Sequence, residues 1–139
     1  MVRGTSARRF QLQFLPHTLS AVEGDTVECN GVNMRALGDG PPNRSGFDTP
    51  EIYRPKCQQE LELGRTAKSR MQELISQSGV RGKDSSVRDR YQRLLILVIL
   101  LDGRSAGSVL IGEGLARRWT PGYRANWCAS IDADLLQTN

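Results

Sequence analysis

Three acidic side chains, Asp25, Asp48 and Glu51, and two guanidiniums, Arg35 and Arg93, are the residues of this chain best suited to chemistry. Carboxylates hold hard divalent cations such as Ca²⁺ through oxygen. Paired arginines brace phosphate oxygens in a planar fork. The chain has one histidine, His17, and three cysteines, Cys29, Cys57 and Cys128, spaced too widely for a CxxC site. That argues against zinc hydrolases and histidine-based nucleases. Ser45, Ser85 and Ser86 have no base nearby in sequence, so a Ser-His-Asp enzyme is disfavoured. What is left describes phosphodiester cleavage better than any other chemistry open to these residues.

Each residue also has an ordinary reading. Asp48-Thr49-Pro50-Glu51 suits a turn or the start of a helix, with Asp48 as cap and Glu51 in the first turn. Arg35, between Met34 and Ala36, can snorkel or pair with a carboxylate. Arg93 can be a charge at a strand edge. His17 reads as a surface or packing residue, and Met34 and Met71 as core filler. In favour of a site, Pro50 restrains itself and Thr49, so the Asp48–Glu51 segment is stiff and keeps its two acids near one another.

The elements that must position these groups follow from pattern. Phe10 to Val22 reads as a strand interrupted near Pro16, Gly24-Asp25 as a turn, and Thr26 to Cys29 as a second strand. Asn30-Gly31 is a hairpin signal returning the chain through Val32 to Leu37. Gly38 to Gly46 is a loop. Gln58 to Ser78 predicts the clearest helix, with Leu63, Ala67, Met71, Leu74 and Ile75 on one face and Gly79 ending it. Val80 to Asp84 predicts a short strand, Lys83 to Ser86 a turn, and Arg93 to Leu101 a buried central strand. Ser105 to Leu115 predicts a shorter helix capped by Ser105. Arg117 to Asn139 has no periodicity and reads as surface wrapping. The expected fold is α+β, mainly β: a five-stranded OB-type Greek-key barrel with one helix between strands 3 and 4 and a second after strand 5. The expected organisation is a disordered leader over 1–9, one domain over 10–128 and a flexible tail over 129–139.

The 139 residues suit a single core. Apolar content is 38%, charged content 24% and net charge +4, an ordinary globular balance. The basic excess is local, with Arg81, Lys83, Arg88, Arg90 and Arg93 in one group and Arg117, Arg118 and Arg124 in another. Such zones favour a polyanionic partner, although a solvated surface has the same composition. The apolar run Leu94–Leu101 is too short to span a bilayer, so no membrane partner is expected. The basic N-terminus (Arg3, Arg8, Arg9) is not followed by an apolar signal core. The compartment is the periplasm or exterior if a signal has been trimmed, and the cytoplasm otherwise. One disulfide with a spare thiol, or three reduced thiols, are both open on cysteine count.

The order and spacing of Glu23-Gly24-Asp25-Thr26-Val27, the strand carrying Arg35, Phe47-Asp48-Thr49-Pro50-Glu51 and Asp89-Arg90-Tyr91-Gln92-Arg93 resemble the staphylococcal nuclease-like (thermonuclease) family. Asp102-Gly103-Arg104, Gly114-Leu115-Ala116 and Trp127-Cys128 extend the likeness over roughly residues 10–128. The resemblance implies that Asp25, Asp48 and the Thr49 carbonyl bind Ca²⁺, and that Glu51 orders or activates water. It implies that Arg35 and Arg93 stabilise charge on the phosphoryl oxygens, with Arg90 and Tyr91 near a substrate phosphate. It further implies hydrolysis of single-stranded or locally melted DNA or RNA with little sequence selectivity, 3′-phosphate ends, a monomer, and a Cys57–Cys128 disulfide as in exported relatives.

Four departures stand out. Glu23 replaces the family's usual aspartate, and Tyr-Gln-Arg replaces Tyr-Gly-Arg at residues 91–93. The 38–46 loop is long, with a Gly-Pro-Pro insertion similar to other bacterial relatives, and no stretch matches the family's C-terminal helix. Glu23 and Gln92 leave open a catalytically impaired OB-fold nucleic-acid-binding module. A relative recruited to bacterial exopolysaccharide (succinoglycan) biosynthesis is a further alternative, for which no exposed aromatic cluster supplies sugar-binding chemistry.

Overall fold

The computed structural model of the protein describes residues 19–128. The expected leader at 1–9, the part of the first strand before Leu19, the tail at 129–139 and any C-terminal helix there lie outside the described residues. The elements run β1 (Leu19–Glu23), β2 (Thr26–Cys29), β3 (Val32–Ala36), β4 (Gly46–Asp48), α1 (Gln58–Ile75), β5 (Arg81–Arg88), β6 (Leu94–Ile99), α2 (Ala106–Gly112) and β7 (Arg117–Trp119).

Five strands make one mixed sheet in the order β1-β2-β3-β6-β5, and β4 and β7 pair separately. β1, β2 and β3 form the expected antiparallel meander, with Asn30 and Gly31 both at positive φ in its tight turn. β6 lies parallel to β3 and antiparallel to β5. A strand flanked on both sides can be apolar on both faces, which is why Leu94 to Ile99 reads as an unbroken apolar run. Architecture is thus α+β, with the five strands and two helices in the expected order. Closure into a barrel is not seen: among the described residues β1 and β5 are the sheet's edges.

The core lies between the sheet and the helices. Val27, Met34, Ala36, Ile96 and Val98 from the strands join Met71, Leu74, Ile75 and Leu110 from α1 and α2, with Phe47 from β4. Buried positions 60, 64, 67, 71 and 74 in α1 follow the helical 3–4 alternation. Strand alternation then decides the site. Met34 and Ala36 are buried in the core, so Arg35 lies on the opposite face, in register with Leu95.

Three expectations need correction. The turn expected at Lys83–Ser86 lies inside β5, which continues to Arg88 across a register shift between Asp84 and Arg88. Local turn chemistry is present, since the Asp84 carboxylate accepts from Ser86 N and Ser86 has φ 64°. It makes a bulge in the ladder instead of ending it. Residues after Arg117 are not all irregular: Arg117–Trp119 pairs with Gly46–Asp48, a three-residue ladder too short for any periodicity to announce. The helices and the central strand are shorter than their patterns: α1 ends at Ile75, α2 covers 106–112 behind its Ser105 cap, and β6 covers 94–99. No described helix is long and apolar enough to cross a membrane.

Candidate active site

The segment Asp48–Glu51 leaves β4 and crosses over α1, and two glycines give it room. A Cβ on Gly24, in the β1–β2 turn, would stand 2.8 Å from the Thr49 side chain. A Cβ on Gly64, in mid-helix, would stand 2.9 Å from the Pro50 carbonyl oxygen and 3.0 Å from that of Glu51. Gly64 weakens the helix by roughly 1 kcal/mol relative to alanine. Its compensation is a close seat for this loop.

Two carboxylates then hold the loop by its own backbone. Glu60, buried in the first turn of α1, accepts from Glu51 N (3.0 Å) and Lys56 N (2.9 Å). Glu23, at the end of β1, accepts from Ile52 N (3.1 Å). Asp25 is buried beneath. It accepts from Thr26 Oγ1 (3.1 Å) and Thr49 N (3.4 Å) and pairs with Arg35 Nη2 (3.3 Å). The Arg35 guanidinium also donates to the Phe47 carbonyl at 2.7 Å, so it is fixed at two points.

Arg93 comes from the other side, in the turn between β5 and β6. Asp89 organises that turn: its carboxylate accepts from Tyr91 N, Arg93 N and Arg93 Nε, all at 2.8–2.9 Å. Arg90 and Arg93 both lie over the Tyr91 ring, at 5.0 and 5.6 Å from its centre. Gln92, between them, sits at φ 69° in the left-handed region, where a side chain costs about 1–2 kcal/mol relative to glycine.

These pieces meet. Arg35, Asp48, Glu51, Arg90, Tyr91 and Arg93 all line one cleft of about 930 Å³. Asp25 and Thr49 are buried, 3% and 2% exposed, with Asp25 held to both Arg35 and Thr49. The folded chain therefore gathers every residue expected at the site except the cysteines. Cys57 and Cys128 form a disulfide with Cα atoms 6.3 Å apart. It ties the segment carrying Trp127 to the N-terminus of α1, where the Cys57 sulfur caps the helix by accepting from Glu60 N. Constraining a 71-residue loop contributes about 4 kcal/mol on the chain-entropy view.

Three features of the site are unmarked or weakly marked in the sequence. The cleft is also lined by Trp119, Tyr123, Arg54 and Lys56, which no short pattern marks, and by Arg124 of the second basic group. The Asp89 turn was legible only as part of a motif. Glu60 had a local signal: it stands three residues after the cap residue Cys57, the spacing of a capping box.

Electrostatics sets the acids apart from the rest of the surface. Glu51 is pushed up to about 7, first by burial and then by the charges of Glu23, Asp25 and Asp48. Asp48 is pushed up to about 6 by burial and by Asp25, with Arg35 opposing. Burial also raises Glu23, against the lowering effect of the Ile52 N–H. Asp89 goes the other way: despite burial, its hydrogen bonds from the Arg93 backbone and guanidinium hold it below the ordinary aspartate range.

The donors suit a hard cation. They are oxygens only, crowded enough to raise one another's proton affinity, and the buried Thr49 Oγ1 has no hydrogen-bond partner among the described residues. No three His, Cys, Asp or Glu side chains among the described residues form a metal-holding group. The oxygens nearest to such a role are those of Asp48, which lines the cleft, and of buried Asp25, which accepts from Thr49 N.

The staphylococcal nuclease homologue family matches residues 44–137, more than half of the chain, and the chain belongs to that family. Asp25 and Arg35 lie ahead of the matched span, and the sheet brings them to Asp48, Glu51 and Arg93 within it. No curated protein matches the chain.

Proposed function

We propose that this staphylococcal nuclease homologue hydrolyses phosphodiester bonds of single-stranded or locally melted DNA or RNA in the cleft between β4 and the β5–β6 turn. The observation that carries this reading is the convergence of Arg35, Asp48, Glu51 and Arg93 on one cleft, above buried Asp25. The strand order, with parallel β3 and β6, supports an OB-type barrel over residues 10–128 as the platform.

Ca²⁺ is the proposed cofactor, held by Asp25, Asp48 and the Thr49 carbonyl. When bound it would polarise a phosphoryl oxygen and offset the crowded negative charge. The chain's own groups do the rest. Arg35 and Arg93 donate to the non-bridging oxygens as charge grows there. Arg90 and Tyr91 hold a neighbouring phosphate. Glu51, which lines the cleft, takes a proton from water. The water oxygen bonds to phosphorus, the P–O5′ bond breaks, and the departing 5′ oxygen takes up a proton. A 3′-phosphate and a 5′-hydroxyl result.

The test is incubation with single-stranded DNA in Ca²⁺ or chelator. Cleavage with Ca²⁺ alone is expected. Arg35→Ala or Glu51→Gln should each lower kcat by about 10²–10³-fold, the range for losing one preorganised transition-state group. Binding without cleavage under every metal condition overturns the reading and favours the nucleic-acid-binding module.

A further inference from the structure

We infer that Glu23 and Glu60 are a pair of positioning residues that fix Glu51 by its main chain, one carboxylate from the sheet and one from the helix. The inference rests on the reading of Glu51 as a catalytic group. Glu51 N donates to Glu60 Oε2, and the next amide, Ile52 N, donates to Glu23 Oε2. The two successive amides are thus taken by acceptors on two separate elements, the helix for Glu51 and the end of β1 for Ile52. The second Glu60 oxygen accepts from Lys56 N and closes the far end of the same loop. The Glu51 carboxylate itself takes no hydrogen bond among the described residues. Its place is set by its backbone, and its oxygens are left for water.

This gives Glu23 a job that depends on reach. Its family counterpart, an aspartate, is one methylene shorter. Here the longer side chain is what spans from the end of β1 to Ile52 N at 3.1 Å. A role for Glu23 through charge alone, near the cation, makes the opposite forecast. Aspartate keeps the charge and loses the reach; glutamine keeps the reach and an acceptor oxygen and loses the charge.

The experiment compares Glu23→Asp, Glu23→Gln and Glu60→Gln with the parent by amide hydrogen exchange at Glu51, Ile52 and Lys56, and by kcat and KM on single-stranded DNA. Glu23→Asp should expose Ile52 N–H to about tenfold faster exchange or more, since a lost acceptor leaves it open to local fluctuation. It should also lower kcat by about tenfold to a hundredfold, the cost of a small misplacement, with KM within about twofold. Glu23→Gln should keep the protection and most of the turnover. Glu60→Gln turns one acceptor into a donor facing an N–H, so one of Glu51 N and Lys56 N should lose protection. If Glu23→Asp matches or exceeds Glu23→Gln in both readouts, the inference is wrong. If exchange behaves as expected but Glu51→Gln cleaves like the parent, the clamp stands and the catalytic reading of Glu51 fails.

Discussion

The two sides of the cleft are built by different means. The acidic loop, Asp48–Ile52, is held by residues far away in sequence: Glu23, Gly24, Asp25, Glu60 and Gly64. The basic turn, Asp89–Arg93, is held almost wholly by Asp89, at most four residues from its partners. Burial raises the proton affinity of the acidic side, while Asp89, rich in hydrogen bonds, is lowered. The contrast teaches where each side is vulnerable. The loop depends on the tertiary fit of sheet, loop and helix, and the turn on one side chain and one unfavourable φ.

The sharpest break on the acidic side is Gly64→Ala. In an ordinary helix interior that change stabilises, by roughly 1 kcal/mol. Here the added methyl meets backbone carbonyls that cannot swing aside. Thermal unfolding should show a net loss of about 1–3 kcal/mol, as for overpacking. Turnover should fall by about a hundredfold as the loop lifts. A stabilised, fully active variant contradicts the close seat.

A pH series separates the sides next. Asp48 and Glu51 have raised values in the fold, against 3.8 and 4.5 ordinarily. The folded state therefore binds protons more tightly than the unfolded chain. Their stabilisation is full below about pH 4 and is lost as pH rises through about 6 and 7. Without divalent cation, Tm should decline from pH 5 to pH 8. Ca²⁺ at about a hundred times its Kd should restore about 2.7 kcal/mol at pH 8, and little at pH 5 where these acids keep their protons. A Ca²⁺ effect of equal size at both pH values counts against carboxylate ligation.

On the basic side, Asp89→Ala should release Arg93 and lower kcat/KM by about tenfold, the loss of one well-placed charge-assisted contact of roughly 1.5 kcal/mol. Ca²⁺ binding, measured by calorimetry, should be unchanged. The smallest expected effect is that of Gln92→Gly. Relieving the left-handed glutamine should add about 1 kcal/mol of stability, or about 4 °C in Tm. Arg93 already reaches the cleft with Gln92 in place, so turnover should stay the same. A large gain in rate would mean that Gln92 misdirects Arg93.

Much of this site was legible in the chain itself. The Asp25 turn, the stiff Asp48–Glu51 segment, the strand carrying Arg35 and the helical stripe through Met71 all follow from local pattern, because period and proline chemistry act over a few residues. The β4–β7 ladder and the bulge in β5 were not legible. The first pairs three residues with three others some seventy positions away, and the second puts turn chemistry where the ladder with β6 prevails.

By itself, then, the sequence determined which groups exist, their acid and base character, and the alternation that puts Arg35 on the face away from Met34 and Ala36. Tertiary structure alone decided that Glu23 and Glu60 would spend their charge on backbone amides, and that a glycine costly to the helix would earn its place under the loop. It also decided that burial and neighbouring acids would push Asp48 up to about 6 and Glu51 up to about 7. The reason is physical. Propensity and pattern act between neighbours, whereas desolvation, close approach and like-charge crowding exist only once distant segments share one volume.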